Sequence, residues 1–186
     1  MRRQVLFVHG GGQGAHHEDA RLVANLVKEL GSGYEVHYPL MPHEDTPDYP
    51  IWNRVLIEQI VRRGDGVILV GHSVGAAIVI RTLAENRPKQ TLAGVFLIAP
   101  PFVGEGGWQI EGCIPPKIID AKVPDVPIYV YHGREDEIVP FAHVDLYAAV
   151  MPQAFIRRLA GRNHQLNDDL SEVARDICAL NASRAP

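Results

Sequence analysis

The segment around Ser73 combines residues that could turn a serine hydroxyl into a nucleophile. The continuous apolar run Val67–Val70 is typical of a strand buried on both faces of a parallel sheet. It is followed by Gly71-His72-Ser73-Val74-Gly75 and then by an apolar segment that we expect to be helical as far as Arg87. A strand that reverses sharply into a helix forces the residue at the bend to a positive φ, and the flanking glycines allow close packing. The pattern predicts a nucleophile elbow, with the Val74 amide directed at developing negative charge.

A serine hydroxyl needs a neighbouring general base, and nine histidines are candidates. Ligand sites of open parallel sheets lie beyond the carboxyl ends of the strands, so the base should follow a strand. His164 follows the predicted strand Ala154–Leu159 directly. His9 and His132 also end strands, but each precedes a glycine, and we expect their rings to hydrogen-bond nearby backbone. We expect five others to be solvent-exposed: His16, His17, His37, His43 and His143.

Three acids compete for the role of orienting the base, because Glu135, Asp136 and Glu137 all follow the strand that ends at His132. Asp136 is favoured because its short side chain follows a glycine-containing turn and precedes the apolar pair Ile138-Val139. The spacing alone leaves the two glutamates open, although we expect them to be solvated.

Strands and helices alternate along the chain, which predicts one α/β domain over residues 1–186. The predicted strands cover residues 5–8, 34–38, 67–70, 94–99, 127–132 and 154–159. The predicted helices centre on 22–30, 52–60, 74–87, 140–150 and 170–178, with Asn167 as the cap of the last one. Residues 102–124 are rich in glycine and proline and predict an irregular insertion or small flap. We therefore expect an open, mostly parallel six-stranded sheet with helices on both faces.

Composition excludes several other classes of protein. The net charge of −4 and the pI near 6.1 are not typical of a nucleic-acid-binding protein. The sequence also has no polybasic segment that would bind an anionic membrane. No apolar run reaches transmembrane length, and we do not expect the short run after Met1 to act as a secretory signal. Two cysteines make no disulfide framework. We expect a cytoplasmic protein.

Four motifs together resemble the α/β-hydrolase superfamily, in that family's order of serine, acid and histidine. They are His9-Gly10-Gly11-Gly12, Gly71-His72-Ser73-Val74-Gly75, His132-Gly133 with Asp136 and Val139-Pro140, and Gly161 with His164. The usual two leading strands and a long cap domain are absent, so the chain is similar to the small, minimal serine hydrolases. The resemblance implies the triad Ser73, His164 and Asp136. It also implies an oxyanion hole from the Val74 amide and the first loop, with Gly11 preferred and Gly12 as the alternative.

The implied reaction is acyl transfer to water from a small carboxylic ester or thioester, which requires neither a metal nor an organic cofactor. By position, the pocket walls could include Met41, Phe102, Trp108 and Ile138, although core packing explains each equally well. The same triad could serve an amidase, a peptidase, a perhydrolase or a lyase, and a binding protein could share the fold.

A metal site at His16-His17-Glu18-Asp19 is disfavoured, because adjacent helical residues point about 100° apart.

Overall fold

Six strands form one sheet in the computed structural model, which describes residues 2–86, 88–108 and 125–180. In chain order they are β1 (Arg3–Val8), β2 (Tyr34–His37), β3 (Val67–His72), β4 (Leu92–Ile98), β5 (Ile128–Gly133) and β6 (Phe155–Leu159). They lie in the spatial order β2-β1-β3-β4-β5-β6, and every neighbouring pair is parallel. The prediction of an open six-stranded parallel sheet is confirmed.

In the described part of the chain, five α-helices cover the two faces of this sheet. They are α1 (Ala15–Leu30), α2 (Tyr49–Arg63), α3 (Val74–Glu85), α4 (His143–Val150) and α5 (Ser171–Ala179). Side chains alternate along the buried strands, so Leu69 joins the core beneath α2, α3 and α4, whereas Ile68 and Val70 join the core beneath α1 and α5. None of the helices in the described part of the chain is both long and apolar enough to cross a membrane.

The chain reverses its direction of travel across the sheet next to β1. It moves from β1 outward to β2, and then returns past β1 to β3 and onward to β6. The loops that leave β1 and β3 therefore lead to helices on opposite faces of the sheet, α1 and α3, so the position between these strands is a topological switch point. Ligands of open α/β sheets bind at such a switch point. The segments that follow Val8 and His72 lie at this position.

The turn from β3 into α3 has the geometry that the glycine spacing predicted. Ser73 adopts φ 51° and ψ −124°, a positive-φ conformation that is unusual for a residue with a side chain. A Cβ at Gly71 would lie 2.7 Å from the Cα of Ala76, and one at Gly75 would collide with the carbonyl oxygen of His9. Both glycines are required because β1, β3 and α3 approach one another through bare backbone.

Replacing Gly75 by alanine should lower the free energy of unfolding by about 3 kcal/mol, since the new methyl group would displace β1 or α3. Urea denaturation measures the change. Gly33→Ala is the matched control, because open space surrounds that position and its φ is not positive. Equal stability of the two variants would contradict the close approach at Gly75.

Several predicted boundaries and faces differ from the structure. Helix α3 ends at Glu85 and not at Arg87, because Asn86 is extended and its side chain donates to the Thr82 carbonyl. Helix α4 begins at His143 and not at Pro140, since the amides of His143 and Val144 donate to the carbonyls three residues earlier and form turns before the helix. Val27 and Cys178 are exposed on their helices, although the spacing Leu26-Val27 and Ile177-Cys178 predicts that each continues the apolar stripe of its helix. Most of the predicted insertion, residues 109–124, lies outside the described residues.

Candidate active site

Four loops that follow strands supply the residues singled out in the sequence. The loop after β1 carries Gly11, the turn after β3 carries Ser73, the loop after β5 carries Asp136 and the loop after β6 carries His164. All six strands are parallel, so all four loops leave the same edge of the sheet. The fold thus collects residues that are far apart in the chain.

Asp136 and His164 are joined directly. Nδ1 of His164 lies 2.9 Å from Oδ2 and 3.0 Å from Oδ1 of Asp136. The side chain of Asp136 has no exposed surface, and 8% of the His164 side chain is exposed. An ionised carboxylate only accepts hydrogen bonds, so Nδ1 carries the proton and Nε2 of the neutral ring is left as an acceptor.

The surroundings of Asp136 stabilise its charged form. Oδ1 accepts from the amides of Ile138 and Val139 at 2.9 and 2.8 Å, and Nε2 of His132 lies 3.2 Å from Oδ2. Burial opposes ionisation, but the hydrogen bonds from His132, His164 and the backbone hold the pKa of Asp136 well below its usual range. The carboxylate is therefore ionised whenever the protein is folded near neutral pH.

This lowered pKa predicts how Asp136 contributes to stability. A carboxyl whose pKa is lower in the folded state stabilises the protein above its unfolded pKa, about 3.9, and the contribution is lost as the pH falls toward the folded value. The stability difference between wild type and Asp136→Asn should be constant from about pH 8 to 5 and should shrink below about pH 4. Urea denaturation at several pH values measures it.

Glu135→Gln is the matched control for this titration, because Glu135 is an exposed carboxylate of the same turn. We expect it to change stability by less than about 0.5 kcal/mol across the same range. A difference between wild type and Asp136→Asn that grew on acidification would contradict the folded-state environment described for Asp136.

Two asparagines hold the loop that carries His164. The Asn163 amide donates to Oδ1 of Asn167, and the Asn167 amide donates to Oδ1 of Asn163. Nδ2 of Asn167 donates to the carbonyl of Gly161. The prediction that Asn167 caps the last helix is wrong, because its side chain is engaged in this clamp and Asp169 accepts from the Ser171 amide instead. The reciprocal bonds fix the turn in which His164 lies.

His164 and Ser73 are connected through the residue that precedes the serine. Nε2 of His72 lies 3.2 Å from the carbonyl oxygen of His164, and the two imidazole rings are 4.8 Å apart at their centroids. Within the described part of the chain, neither Ser73 Oγ nor His164 Nε2 has a hydrogen-bond partner. In enzymes without bound substrate, hydrogen bonds of this kind are often long and shorten in the substrate complex.

Two backbone amides next to Ser73 are available to a ligand. Gly11 packs against Val74, since a Cβ at Gly11 would lie 3.2 Å from the Cβ of Val74. Val74 is the first residue of α3, where amides have no intrahelical acceptor. Among the described residues no hydrogen bond uses either amide, whereas the Gly12 amide donates to the Glu44 carbonyl at 2.6 Å. This arrangement favours Gly11 over Gly12 as a donor to substrate.

The two histidines expected to bind backbone do so. Nδ1 of His9 lies 2.7 Å from the Gly10 carbonyl and Nε2 accepts from the Met41 amide at 2.9 Å. Burial lowers the pKa of His9, in keeping with a neutral ring that donates at one nitrogen and accepts at the other. Nε2 of His132 lies 3.0 Å from the Val139 carbonyl. These rings hold the loops after β1 and β5 in shape.

His143 was expected on the surface, and that expectation is wrong. Its side chain is buried, and Nδ1 accepts from the Phe102 amide at 2.9 Å. The imidazole fixes the chain just after β4, where the backbone has left the sheet and needs an acceptor. Burial lowers the pKa of His143.

The four residues considered as pocket walls lie in different surroundings. Met41 and Phe102 belong to the buried core, the latter packed edge-on against Tyr147. The Trp108 ring contacts that of His143, and the Ile138 side chain is 56% exposed beside Asp136. Their assignment to a substrate pocket stays a prediction.

Two residues beside the site were missed in the sequence. Asp19 and His72 are buried, and Nδ1 of His72 lies 2.8 Å from Oδ2 of Asp19. The sequence contains a signal for both, because His72 closely follows a continuous apolar run and Asp19 is in phase with the apolar stripe that includes Leu22 and Leu26. A titratable side chain at a buried position needs a buried partner.

Comparisons with known proteins agree with this fold. The model of the alpha/beta hydrolase family matches residues 5–181, and the chain therefore belongs to the alpha/beta hydrolase family. No curated protein matches the sequence significantly.

Solved structures share the fold at low sequence identity. A serine hydrolase without a lid, from Xanthomonas campestris, is 20% identical with a TM-score of 0.67, covering 98% of this chain and 82% of that one. Est1E from Butyrivibrio proteoclasticus is 14% identical with a TM-score of 0.74, covering 98% and 89%. The esterase RhEst1 from Rhodococcus sp. ECU1013 is 12% identical with a TM-score of 0.74, covering 99% and 92%.

Proposed function

We propose that this protein is a serine hydrolase that cleaves small carboxylic esters or thioesters, with Ser73 as nucleophile, His164 as general base and Asp136 as the orienting acid. The observation that carries the proposal is the bond from Nδ1 of His164 to Asp136. That bond leaves Nε2 as the free basic atom of the His164 ring, and the backbone carbonyl of His164 is hydrogen-bonded to His72, the residue before Ser73.

In the proposed reaction each of these residues has one role. Nε2 of His164 takes the Ser73 proton as Oγ attacks the carbonyl carbon, and Asp136 stabilises the imidazolium that forms. The amides of Val74 and Gly11 donate to the oxyanion of the tetrahedral intermediate. The imidazolium then protonates the leaving alcohol or thiol, which gives an acyl-enzyme. Water attacks the acyl-enzyme with His164 again as base, releasing the acid and restoring the serine.

The loop after β4 and the structural neighbours bear on the size of the substrate. In the described residues 102–108, this loop is a short turn closed by the bond from the Trp108 amide to the Phe102 carbonyl. One structural neighbour is a serine hydrolase without a lid, and another is an esterase. These observations favour a short acyl group over a long lipid chain.

A substrate panel tests the proposal. The purified protein should hydrolyse p-nitrophenyl acetate and butyrate, and a short-chain thioester, faster than p-nitrophenyl palmitate. The p-nitroanilide with the same acyl group distinguishes ester hydrolysis from amide hydrolysis, because only the bond that is cleaved differs between the two substrates. Hydrolysis of the anilide alone would replace the esterase assignment by an amidase, and no turnover of any member would refute the hydrolase.

A further inference from the structure

Asp19 and His72 form a buried pair that the reaction above does not use. The side chains of both are 1% exposed, and their facing atoms, Oδ2 and Nδ1, are 2.8 Å apart. They come from α1 and from the end of β3, 53 positions apart in the chain. Such a pair is stable inside a protein only when hydrogen bonds satisfy the remaining polar atoms.

Both ring nitrogens of His72 face hydrogen-bond acceptors. Nδ1 faces the Asp19 carboxylate, and Nε2 faces the carbonyl oxygen of His164 at 3.2 Å. A neutral imidazole has one N–H, so only the imidazolium can donate to both. Burial opposes this charge, yet Asp19, the His164 carbonyl and the more distant Asp136 raise the pKa of His72. The charge of His72 in turn lowers the pKa of Asp19 against the effect of burial.

The Asp19 carboxylate has two further donors. Oδ2 also accepts from the Gly10 amide at 2.9 Å, and Oδ1 accepts from Nε2 of Gln165 at 3.1 Å. Each partner of Asp19 is the chain neighbour of a residue in the proposed site. Gly10 precedes Gly11, His72 precedes Ser73, and Gln165 follows His164.

We propose that Asp19 and His72, as a carboxylate–imidazolium pair, are positioning residues. They hold the loop after β1, Ser73 and the loop that carries His164 in fixed positions relative to one another. This proposal rests on the proposed function, which assigns the roles of nucleophile, base and oxyanion donor to the groups that are positioned. The Asp19 carboxylate accepts hydrogen bonds from the loop after β1 and from the loop after β6. Its partner, the His72 imidazolium, donates to the backbone carbonyl of His164. Removing the charge would free the ring to lose a proton, so that one of its two hydrogen bonds would be lost.

Asp19→Asn removes the charge with little change of shape. The amide oxygen can take the place of Oδ2, and the amide NH₂ can face Gln165, whose Oε1 has no partner among the described residues. We expect kcat for p-nitrophenyl butyrate to fall about 10- to 100-fold, as for a small misplacement of reacting groups, with KM changed less than about 3-fold.

Asp176→Asn is the matched control. Asp176 is also a carboxylate with several hydrogen bonds, to Tyr131 and Arg157, but it lies outside the site. We expect it to lose stability and to keep the wild-type kcat. An Asp19→Asn enzyme with wild-type kcat would overturn the positioning role, as would an equal fall of kcat in both variants.

The state of the ring is measured independently of any activity, by ¹⁵N NMR of histidine-labelled protein, with His72→Gln assigning the signal. Wild-type His72 should keep protons on both nitrogens to a higher pH than an ordinary histidine, and Asp19→Asn should leave one proton at the same pH. A neutral ring in the wild type would overturn the pair.

Hydrogen exchange measures the positioning itself. The amides of Gly12 and Leu166, in the loops after β1 and β6, donate to the carbonyls of Glu44 and Asn163. Both amides should exchange faster in Asp19→Asn than in wild type, but not in Asp176→Asn. Unchanged exchange in Asp19→Asn would overturn the positioning role. If wild type hydrolysed no ester, the proposed function would fail, while the ring spectrum and the exchange rates would still decide whether the pair holds these loops.

Discussion

Ser73→Ala is expected to lower kcat for p-nitrophenyl butyrate by about 10⁴-fold or more, leaving the slow reaction that binding and the oxyanion donors support alone. The reason is chemical, since alanine has no atom that can attack the carbonyl and form an acyl-enzyme. Ser73 lies at the bend with φ 51°. Alanine also has a Cβ, so the variant adopts this positive-φ conformation at the same steric cost as the wild type. Steady-state kinetics and urea denaturation together separate lost chemistry from lost folding.

Ser32→Ala is the matched control for this variant, since Ser32 is an exposed serine in the turn between α1 and β2. It should keep the wild-type kcat. An active Ser73→Ala enzyme, free of contaminating esterase, would refute the nucleophile assignment, whatever the control shows.

Asp136→Asn is expected to lower kcat by about 10⁴-fold, as the corresponding change does in serine-protease triads. The amide NH₂ of asparagine can donate to Nδ1 of His164, which would place the ring proton on Nε2 and remove the base. In the native protein the opposite holds, because the carboxylate accepts from Nδ1 at 2.9 Å. Steady-state kinetics with the short-chain ester measures the loss.

The neighbouring acids supply the control. Glu135→Gln should keep the wild-type kcat, because Glu135 is exposed. Glu137 is also exposed, but its carboxylate accepts from the His164 amide at 3.3 Å, so Glu137→Gln should have a smaller effect than Asp136→Asn. A large loss confined to Glu135→Gln would transfer the role of the acid to that residue.

The fold was predictable because its determinants are local. A buried parallel strand needs a continuous apolar run, as in Val67–Val70, and the glycines around Ser73 are dictated by a turn that leaves no space for a side chain. Errors arose at helix ends, where a side chain competes for the backbone. Asn86 and Asn167 both look like ordinary polar residues, but each binds a carbonyl that decides where the chain turns.

The candidate site was predictable to the extent that parallel strands bring their carboxyl ends together. Asp136 and His164 were placed on two such ends, and they are hydrogen-bonded. The pair of Asp19 and His72 was not found, because its members belong to two elements whose local patterns describe only a helix and a strand. His143 was misplaced for the same reason, since its acceptor role depends on the distant Phe102 amide. Contacts of this kind exist only after the elements have packed.

Labelling with a fluorophosphonate probe, followed by mass-spectrometric mapping, tests the central proposal most directly. The probe phosphonylates a serine only where a base and oxyanion donors activate it. We predict one modified peptide, carrying the adduct on Ser73, in the wild type, and no adduct in Ser73→Ala. A wild-type protein that stays unlabelled, or that is labelled at another serine, would contradict the assignment of Ser73 as an activated nucleophile.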